Sequence, residues 1–430
     1  MANLYKKISL DNGLRIITVP MENANSVTVL ILVGTGSKYE TKDINGISHF
    51  LEHMFFKGTK KRPSTLKISE TLDSVGGEYN AFTSKEVTGF WAKVDKKHSD
   101  VALDWISDIF LNSKFDEKEV EREKGVIIEE VNMYLDTPTA YIGELWEKLL
   151  YGDQPAGWRV IGEKENILGF NKEKVLEYYQ SHYLPSNTII CIAGAVNSEE
   201  IEKKMGSYFK DMKKGQAGKK VKAKDEQSKP EILIHNKKTD QTHFCLGVRA
   251  YNLFDERKYA LALLAVILGG NMSSRLFIKV RERNGLAYSI HTSADNSTDT
   301  GYLVTQAGID HKNLEKSVKL ILQEYKAVKG PKGHPKITEK ELQKAKDYLK
   351  GITSLSLDAS DSQASFYGIQ ELLEKNILTP EEKFEKIDKV SINDINKIAK
   401  DIFLQEKLNL AVIGPVEEKN YASLKKLLKL

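Results

Sequence analysis

The sequence predicts an α+β fold built from two copies of one domain, and three observations carry that expectation. Strand-like and helix-like patterns are mixed along the chain, which suits a sheet packed with helices. The same succession then begins again: residues 337–342 (Ile-Thr-Glu-Lys-Glu-Leu) echo residues 115–120 (Phe-Asp-Glu-Lys-Glu-Val), and residues 410–416 match residues 190–196, each about 220 positions downstream. Between the copies lies a Lys-rich, apolar-poor stretch, with Lys-Lys-Gly-Gln-Ala-Gly-Lys-Lys at 213–220. No aromatic residue is interleaved there to stack on bases, so it reads as a solvated linker rather than a nucleic-acid patch. The expected division is a first domain over 1–210, a linker over 211–230 and a second domain over 231–430.

The elements follow in order. Ile8-Ser9-Leu10 and Leu14-Arg15-Ile16-Ile17 flank Asp11-Asn12-Gly13, a hairpin signal. The β-branched run from Val27 to Val33 reads as an interior strand buried on both faces. A helix is expected between Gly46 and Gly58, a second from Ser64 to Val75, and then a strand entered at Gly76 that continues to Val94. Helices follow over 98–111, 116–134, 139–150 and 172–182, and a strand over 187–193. In the second copy a strand over 243–248 precedes an apolar helix over 259–268.

At 430 residues the chain can bury two cores. Its 64 basic and 60 acidic residues nearly cancel, to +4, so charge makes no case for nucleic acid or an anionic membrane. The longest apolar runs, 27–33 and 260–268, are too short to span a bilayer. Residues 1–7 lack an export or import pattern, and the two cysteines, Cys191 and Cys245, suit buried thiols of a reducing compartment. The expectation is a cytoplasmic protein.

The chemistry is concentrated in His49-Phe50-Leu51-Glu52-His53. On a helix the two histidines lie one turn apart on one face, where their imidazoles can hold a divalent ion. Glu52 hangs beside them, placed to take a proton from water. Two histidines at this spacing also arise by chance. However, Ile47, Phe50, Leu51, Met54 and Phe55 make the helix apolar, and unpartnered His and Glu in a buried helix are costly. A third ligand is sought in residues 121–131. Glu123 and Glu130 lie two turns apart on one face, with Val126 and Ile127 between them, and spacing alone leaves Glu129 open. The second copy has Ala260-Leu261-Ala262-Leu263-Leu264 where the histidine helix should be, and Ala345 and Ile352 opposite Glu123 and Glu130. Only the first copy can bind a metal.

His49-Phe50-Leu51-Glu52-His53-Met54 followed by Phe56-Lys57-Gly58-Thr59 resembles the inverzincin metallopeptidases of the pitrilysin, insulin-degrading enzyme and mitochondrial processing peptidase family. The resemblance covers nearly the whole chain and implies two homologous domains, each a mostly antiparallel sheet packed with helices. It also implies one zinc ion per chain held by His49, His53 and Glu130, with Glu52 as catalytic base and Glu123 orienting the site. Asn80-Ala81-Phe82-Thr83-Ser84 looks like the family's edge strand, so Asn80, Ala81 and Phe82 would pair with substrate backbone. Arg281 and Tyr288, by composition part of a charged loop entering a strand, match the family's Arg and Tyr, which contact substrate and the oxyanion. The implied function is zinc-dependent endopeptidase action on peptides or unfolded segments, inside a chamber closed by a homodimer. The alternatives are a non-catalytic scaffold subunit of the same fold and the catalytic half of a heterodimeric processing peptidase. One departure is Gln154, where relatives often have His, which is expected to affect loop packing. His98, His182, His235, His243, His291, His311 and His334 are taken as structural or surface residues.

Overall fold

The computed structural model describes residues 4–330, 336–417 and 420–430. His334 and the first three residues of the N-terminal reading lie outside them. The chain divides into two compact units, each drawn from both halves of the sequence. One comprises Met1–Asn132, Trp158–Val221 and Ser354–Thr379, and the other Met133–Gly157, Lys222–Thr353 and Pro380–Leu430.

The first unit is organised on β1 (Lys6–Ser9), β2 (Arg15–Pro20), β3 (Ser26–Val33), β4 (Glu78–Thr83), β5 (Thr88–Asp95) and β6 (Thr188–Gly194), in the spatial order β1-β2-β6-β3-β5-β4. Only β2 and β6 run parallel. The β-branched run becomes β3, which is buried from Val27 to Val33 and flanked by β6 and β5, both antiparallel to it. The second unit repeats the plan with β7 (Glu231–Asn236), β8 (Thr242–Arg249), β9 (Ala287–Asn296), β10 (Gly301–Ile309) and β11 (Leu408–Gly414), ordered β7-β11-β8-β10-β9, with β7 and β11 its parallel pair. The order matches that of the first sheet from β2 onward. The chain is therefore α+β with two homologous, mostly antiparallel sheets covered by helices.

The first half of the sequence includes the helices α1 (Ile47–Met54), α2 (Thr65–Asp73), α3 (Ser99–Asn112), α4 (Glu117–Asp136) and α5 (Pro138–Tyr151), of which α1 and α4 carry the candidate site residues. Open sheets leave an apolar face that something must cover, and here each sheet takes a helix from the other half of the sequence. Helix Ser360–Leu373 lies on β3 and β6, where Ala364, Tyr367 and Leu372 join Leu30, Leu32 and Cys191. In the other unit α5 lies on β11 and β8, where Ile142, Leu145 and Trp146 join Cys245, Ala411 and Ile413. The compact units thus differ from the contiguous spans 1–210 and 231–430.

Two further expectations change. The strand entered at Gly76 does not run to Val94. It breaks at residues 84–87 into the hairpin β4–β5, because the Ser84 backbone N–H and hydroxyl both donate to the Val87 carbonyl, at 2.8 and 2.9 Å. Glu86 at that turn is buried against Lys38, 2.8 Å away, and also pairs with Lys220 of the presumed free linker. The linker has no regular secondary structure from 213 to 229, yet it is tied down in both units. In the first the Gly218 N–H donates to the Ser181 carbonyl. In the second Gln154 Nε2 donates to the Lys224 carbonyl and its Oε1 accepts the Lys224 N–H, so Gln154 does serve loop packing. No helix among the described residues is long and apolar enough to cross a membrane. Both cysteines are buried free thiols.

Candidate metal centre

Helix α1 starts from a backbone that excludes side chains. Gly46 has φ of 102°, and a Cβ there would lie 2.7 Å from the Ile161 carbonyl oxygen and 2.8 Å from the Gly162 Cα. The first amides of the helix are met by a buried carboxylate. Glu40 accepts hydrogen bonds from the Gly46 N–H (2.8 Å), the Ser48 N–H (2.8 Å) and Asn45 Nδ2 (2.9 Å). Burial pushes Glu40 above the usual carboxylate range, although these donors offset part of it. Glu40→Ala leaves the Gly46 and Ser48 amides without their acceptor, while Asn45 Nδ2 keeps the Arg159 carbonyl, and is expected to cost about 1–3 kcal/mol. The urea midpoint should fall with an unchanged slope. An unaltered midpoint would show that Glu40 does not set the start of α1.

From that start the helix turns Ile47, Phe50, Leu51 and Met54 into the core, with Phe50 edge-on to Phe170 at 5.3 Å and the Ser48 hydroxyl 2.7 Å from that of Tyr178. The opposite face presents His49 and His53, whose ring centres are 4.8 Å apart. Helix α4 supplies the facing carboxylates. Val120, Ile127 and Val131 anchor it, whereas Val126 is half exposed, so the apolar stripe is narrower than the sequence suggests. Glu123 is 1% exposed and Glu130 turns inward, while Glu129 faces solvent.

Glu130 meets both rings. Its Oε1 lies 3.6 Å from His49 Nε2 and its Oε2 lies 3.5 Å from His53 Nε2. Ligand atoms of the three residues all fall within 4.8 Å of one another. These separations exceed an ordinary hydrogen bond and approach the roughly 3.4 Å between two ligands of a tetrahedral zinc ion. Two imidazoles and a carboxylate form a donor set that zinc accepts, with a fourth position left for water or substrate. The residues fit the ion.

Glu123 stands behind the histidine. Its Oε1 is 2.8 Å from His53 Nδ1, and Lys57 Nζ is 2.5 Å from its Oε2. A carboxylate on the far nitrogen fixes the ring and its tautomer, leaving Nε2 for the ion. Burial alone would raise Glu123, but its bonds to His53 and Lys57 hold it below the usual range. Burial, then the neighbouring His53 charge, lowers His49 to about 4, so His49 is neutral near pH 7. For His53 burial acts downward too, yet Glu123 and Glu130 outweigh it and raise the ring to about 9. The metal-free site therefore carries a proton on His53 that an ion must displace. Zinc binding near pH 7 is expected to release about one proton, and affinity should climb with pH until about 9. Titration calorimetry in buffers of different ionisation enthalpy measures this. No proton release between pH 6.5 and 8 would contradict it.

Glu52, on the same helix, is raised by burial, and its Oε2 accepts a 2.6 Å hydrogen bond from the Thr83 hydroxyl at the end of β4. Among the described residues strand β4 is an edge strand paired with β5 only, and along it Glu78, Asn80 and Phe82 alternate with the more enclosed Tyr79, Ala81 and Thr83. The Ala81 N–H donates to its neighbour's Asn80 Oδ1 at 2.8 Å. In the other unit Arg281 lies near the end of the helical segment Phe277–Glu282, so the expected loop begins later, and Tyr288 is 77% exposed on β9. The two nonetheless meet, the guanidinium standing 4.8 Å from the Phe277 ring centre and 5.4 Å from that of Tyr288. Sequence reasoning missed Glu40 and the contacts of Lys57 and Thr83. The Lys-Gly-Thr after the histidine motif and the Thr ending Asn-Ala-Phe-Thr were in view, but nothing in their spacing points at Glu123 or Glu52.

Residues 15–163 match the family model described as insulinase, peptidase family M16, and residues 169–349 match that of the peptidase M16 inactive domain. An uncharacterized zinc protease of Bacillus subtilis is 37% identical over 415 residues, covering 96% of this chain and 98% of that protein. The chain belongs to peptidase family M16. Among solved structures, a protease from Helicobacter pylori superposes with a TM-score of 0.88 at 22% identity over 96% of this chain and 99% of its own. A chain of complex III2 from Candida albicans gives 0.84 at 19% identity over 99% of this chain and 100% of its own. At those identities the likeness concerns the M16 fold alone. The second M16 half is plain in the structure: Ala260, Leu261, Leu263 and Leu264 are buried core in helix Lys258–Gly269, and Ala345 is wholly buried.

Proposed function

We propose that this M16 chain is a zinc-dependent endopeptidase that cleaves peptides or unfolded protein segments. The observation that carries the reading is the convergence of His49, His53 and Glu130 beside Glu52, on a helix anchored to the edge strand β4. In this reading His49, His53 and Glu130 hold one ion per chain and Glu123 keeps His53 oriented. Zinc bound there supplies Lewis acidity toward water and the scissile carbonyl. Glu52 accepts a proton from the attacking water and passes it to the leaving amine nitrogen, so the carboxylate is regenerated. The substrate backbone adds to β4 along Asn80, Ala81 and Phe82. Main-chain pairing tolerates varied side chains, which suits relaxed sequence preference. Arg281 and Tyr288 donate hydrogen bonds to the oxyanion of the tetrahedral intermediate.

The same reading extends to assembly. Two-domain chains of this type are expected to pair, and we infer a homodimer enclosing a chamber that admits extended chains and excludes folded ones. Buried free thiols support a cytoplasmic setting. The test is a panel of quenched-fluorescence peptides, run with and without a chelator and paired with the molar mass in solution. Chelator-sensitive cleavage, restored by zinc, is expected from a dimer. No cleavage, or cleavage indifferent to chelation, would remove the reading, and an active monomer would remove its assembly part.

A further inference from the structure

We propose that Thr83 is a positioning residue for the Glu52 carboxylate, and that through it the edge of the sheet sets the orientation of the base. The inference rests on the peptidase reading above. Among the described residues, Thr83 makes the hydrogen bond to the Glu52 side chain, Oγ1 to Oε2 at 2.6 Å. The terminal torsion of a glutamate is broad, with no steep well to hold the plane of the carboxylate. A short bond from a fixed hydroxyl to an ionised oxygen is among the stronger hydrogen bonds a protein makes. It engages Oε2 and leaves Oε1 as the oxygen that takes the proton from water.

The donor is itself held. Thr83 is β-branched and so stiff at χ1, and it ends β4 in register with Thr88 of β5. Thr88 is fully buried, and its hydroxyl donates to the Thr35 carbonyl at 3.2 Å. The hydroxyl that aims the base is therefore carried on a paired strand rather than a loop, the kind of support that keeps a reacting group within a fraction of an ångström.

The geometry also links binding to chemistry. A one-residue slip along a strand turns every side chain to the opposite face. Thr83 shares a face of β4 with Tyr79 and Ala81, so its reach to Glu52 locks the register of the free edge against α1. A peptide added to that edge is then aligned with the base by the same strand that orients it.

The test compares Thr83→Val, which keeps the shape and strand preference but loses the donor, with Thr83→Ser, which keeps the donor. Thr83→Val is expected to lower kcat roughly tenfold to a hundredfold with KM changed less than about twofold, and Thr83→Ser to return within about threefold of wild type. Zinc content should be the same in all three. Thr83→Ala, which asks for no repacking, stands in for the valine variant if its urea midpoint drops. A valine or alanine variant with wild-type kcat, a change confined to KM, or a serine variant as impaired as valine would overturn the proposal while leaving the peptidase reading intact. A wild type that cleaves no peptide, or cleaves regardless of chelation, brings down that reading and the role of Thr83 with it.

Discussion

Glu52→Gln is expected to abolish peptide cleavage while leaving zinc in place. Burial raises Glu52 above the ordinary carboxylate range, which makes it a better proton acceptor near neutral pH than an exposed glutamate. Glutamine has the same shape, and its amide oxygen can still accept from Thr83, so the fold and the local contact survive. What disappears is the group that takes the water proton. Loss of a positioned general base typically costs roughly 10²- to 10⁴-fold in kcat. The measurement is kcat on the fluorescent peptides together with zinc content by elemental analysis. A variant that keeps more than about a tenth of the turnover would show that Glu52 is not the base.

Removing a proposed ligand should act on the metal before it acts on anything else. Glu123 touches His53 and no other member of the triad, so Glu123→Gln is expected to weaken zinc binding by roughly tenfold to a hundredfold. His53→Ala and Glu130→Ala take away donor atoms, and each should lose more than Glu123→Gln. Glu129→Gln serves as the control, since that side chain faces solvent, and should leave affinity unchanged. Stability follows by mass action. A site saturated at about a thousandfold over its Kd contributes about 4 kcal/mol, so the ligand variants should unfold in zinc-containing buffer where chelated wild type does. Competition with a chromophoric chelator ranks the affinities. If Glu129→Gln weakened zinc as much as Glu130→Ala, the assignment on α4 would have to be redrawn.

The parts of this site legible in the sequence are those governed by one helical period. His49 and His53 declare themselves because four residues make one turn, and Ile47, Phe50 and Leu51 show which face is buried. Glu130 is separable from Glu129 in the sequence only by the resemblance, since both could follow from a helix of that spacing; in the fold Glu129 is exposed and Glu130 lies toward His49 and His53. Contacts made across tens of residues had no such signature. Thr83 reaches Glu52 because a hairpin folds β4 onto α1, and the turn that makes the hairpin, at Ser84 and Val87, looked like uninterrupted strand. Glu40 caps α1 from a segment with no repeating pattern. The duplication was visible in paired stretches such as 190–196 and 410–416, which become the equivalent strands β6 and β11. The exchange of α5 and helix Ser360–Leu373 between the sheets was not, because an amphipathic helix records only that a face is apolar and says nothing of which sheet it covers.

The central claim is that one cation is shared by His49, His53 and Glu130, and X-ray absorption at the zinc edge of the purified protein tests it most directly. The account predicts a first shell of two imidazole nitrogens with oxygen at about 2.0–2.2 Å and no sulfur, with the imidazole scattering reduced to that of His53 in any zinc that His49→Ala retains. A thiolate shell near about 2.3 Å, or a spectrum without imidazole, would contradict it.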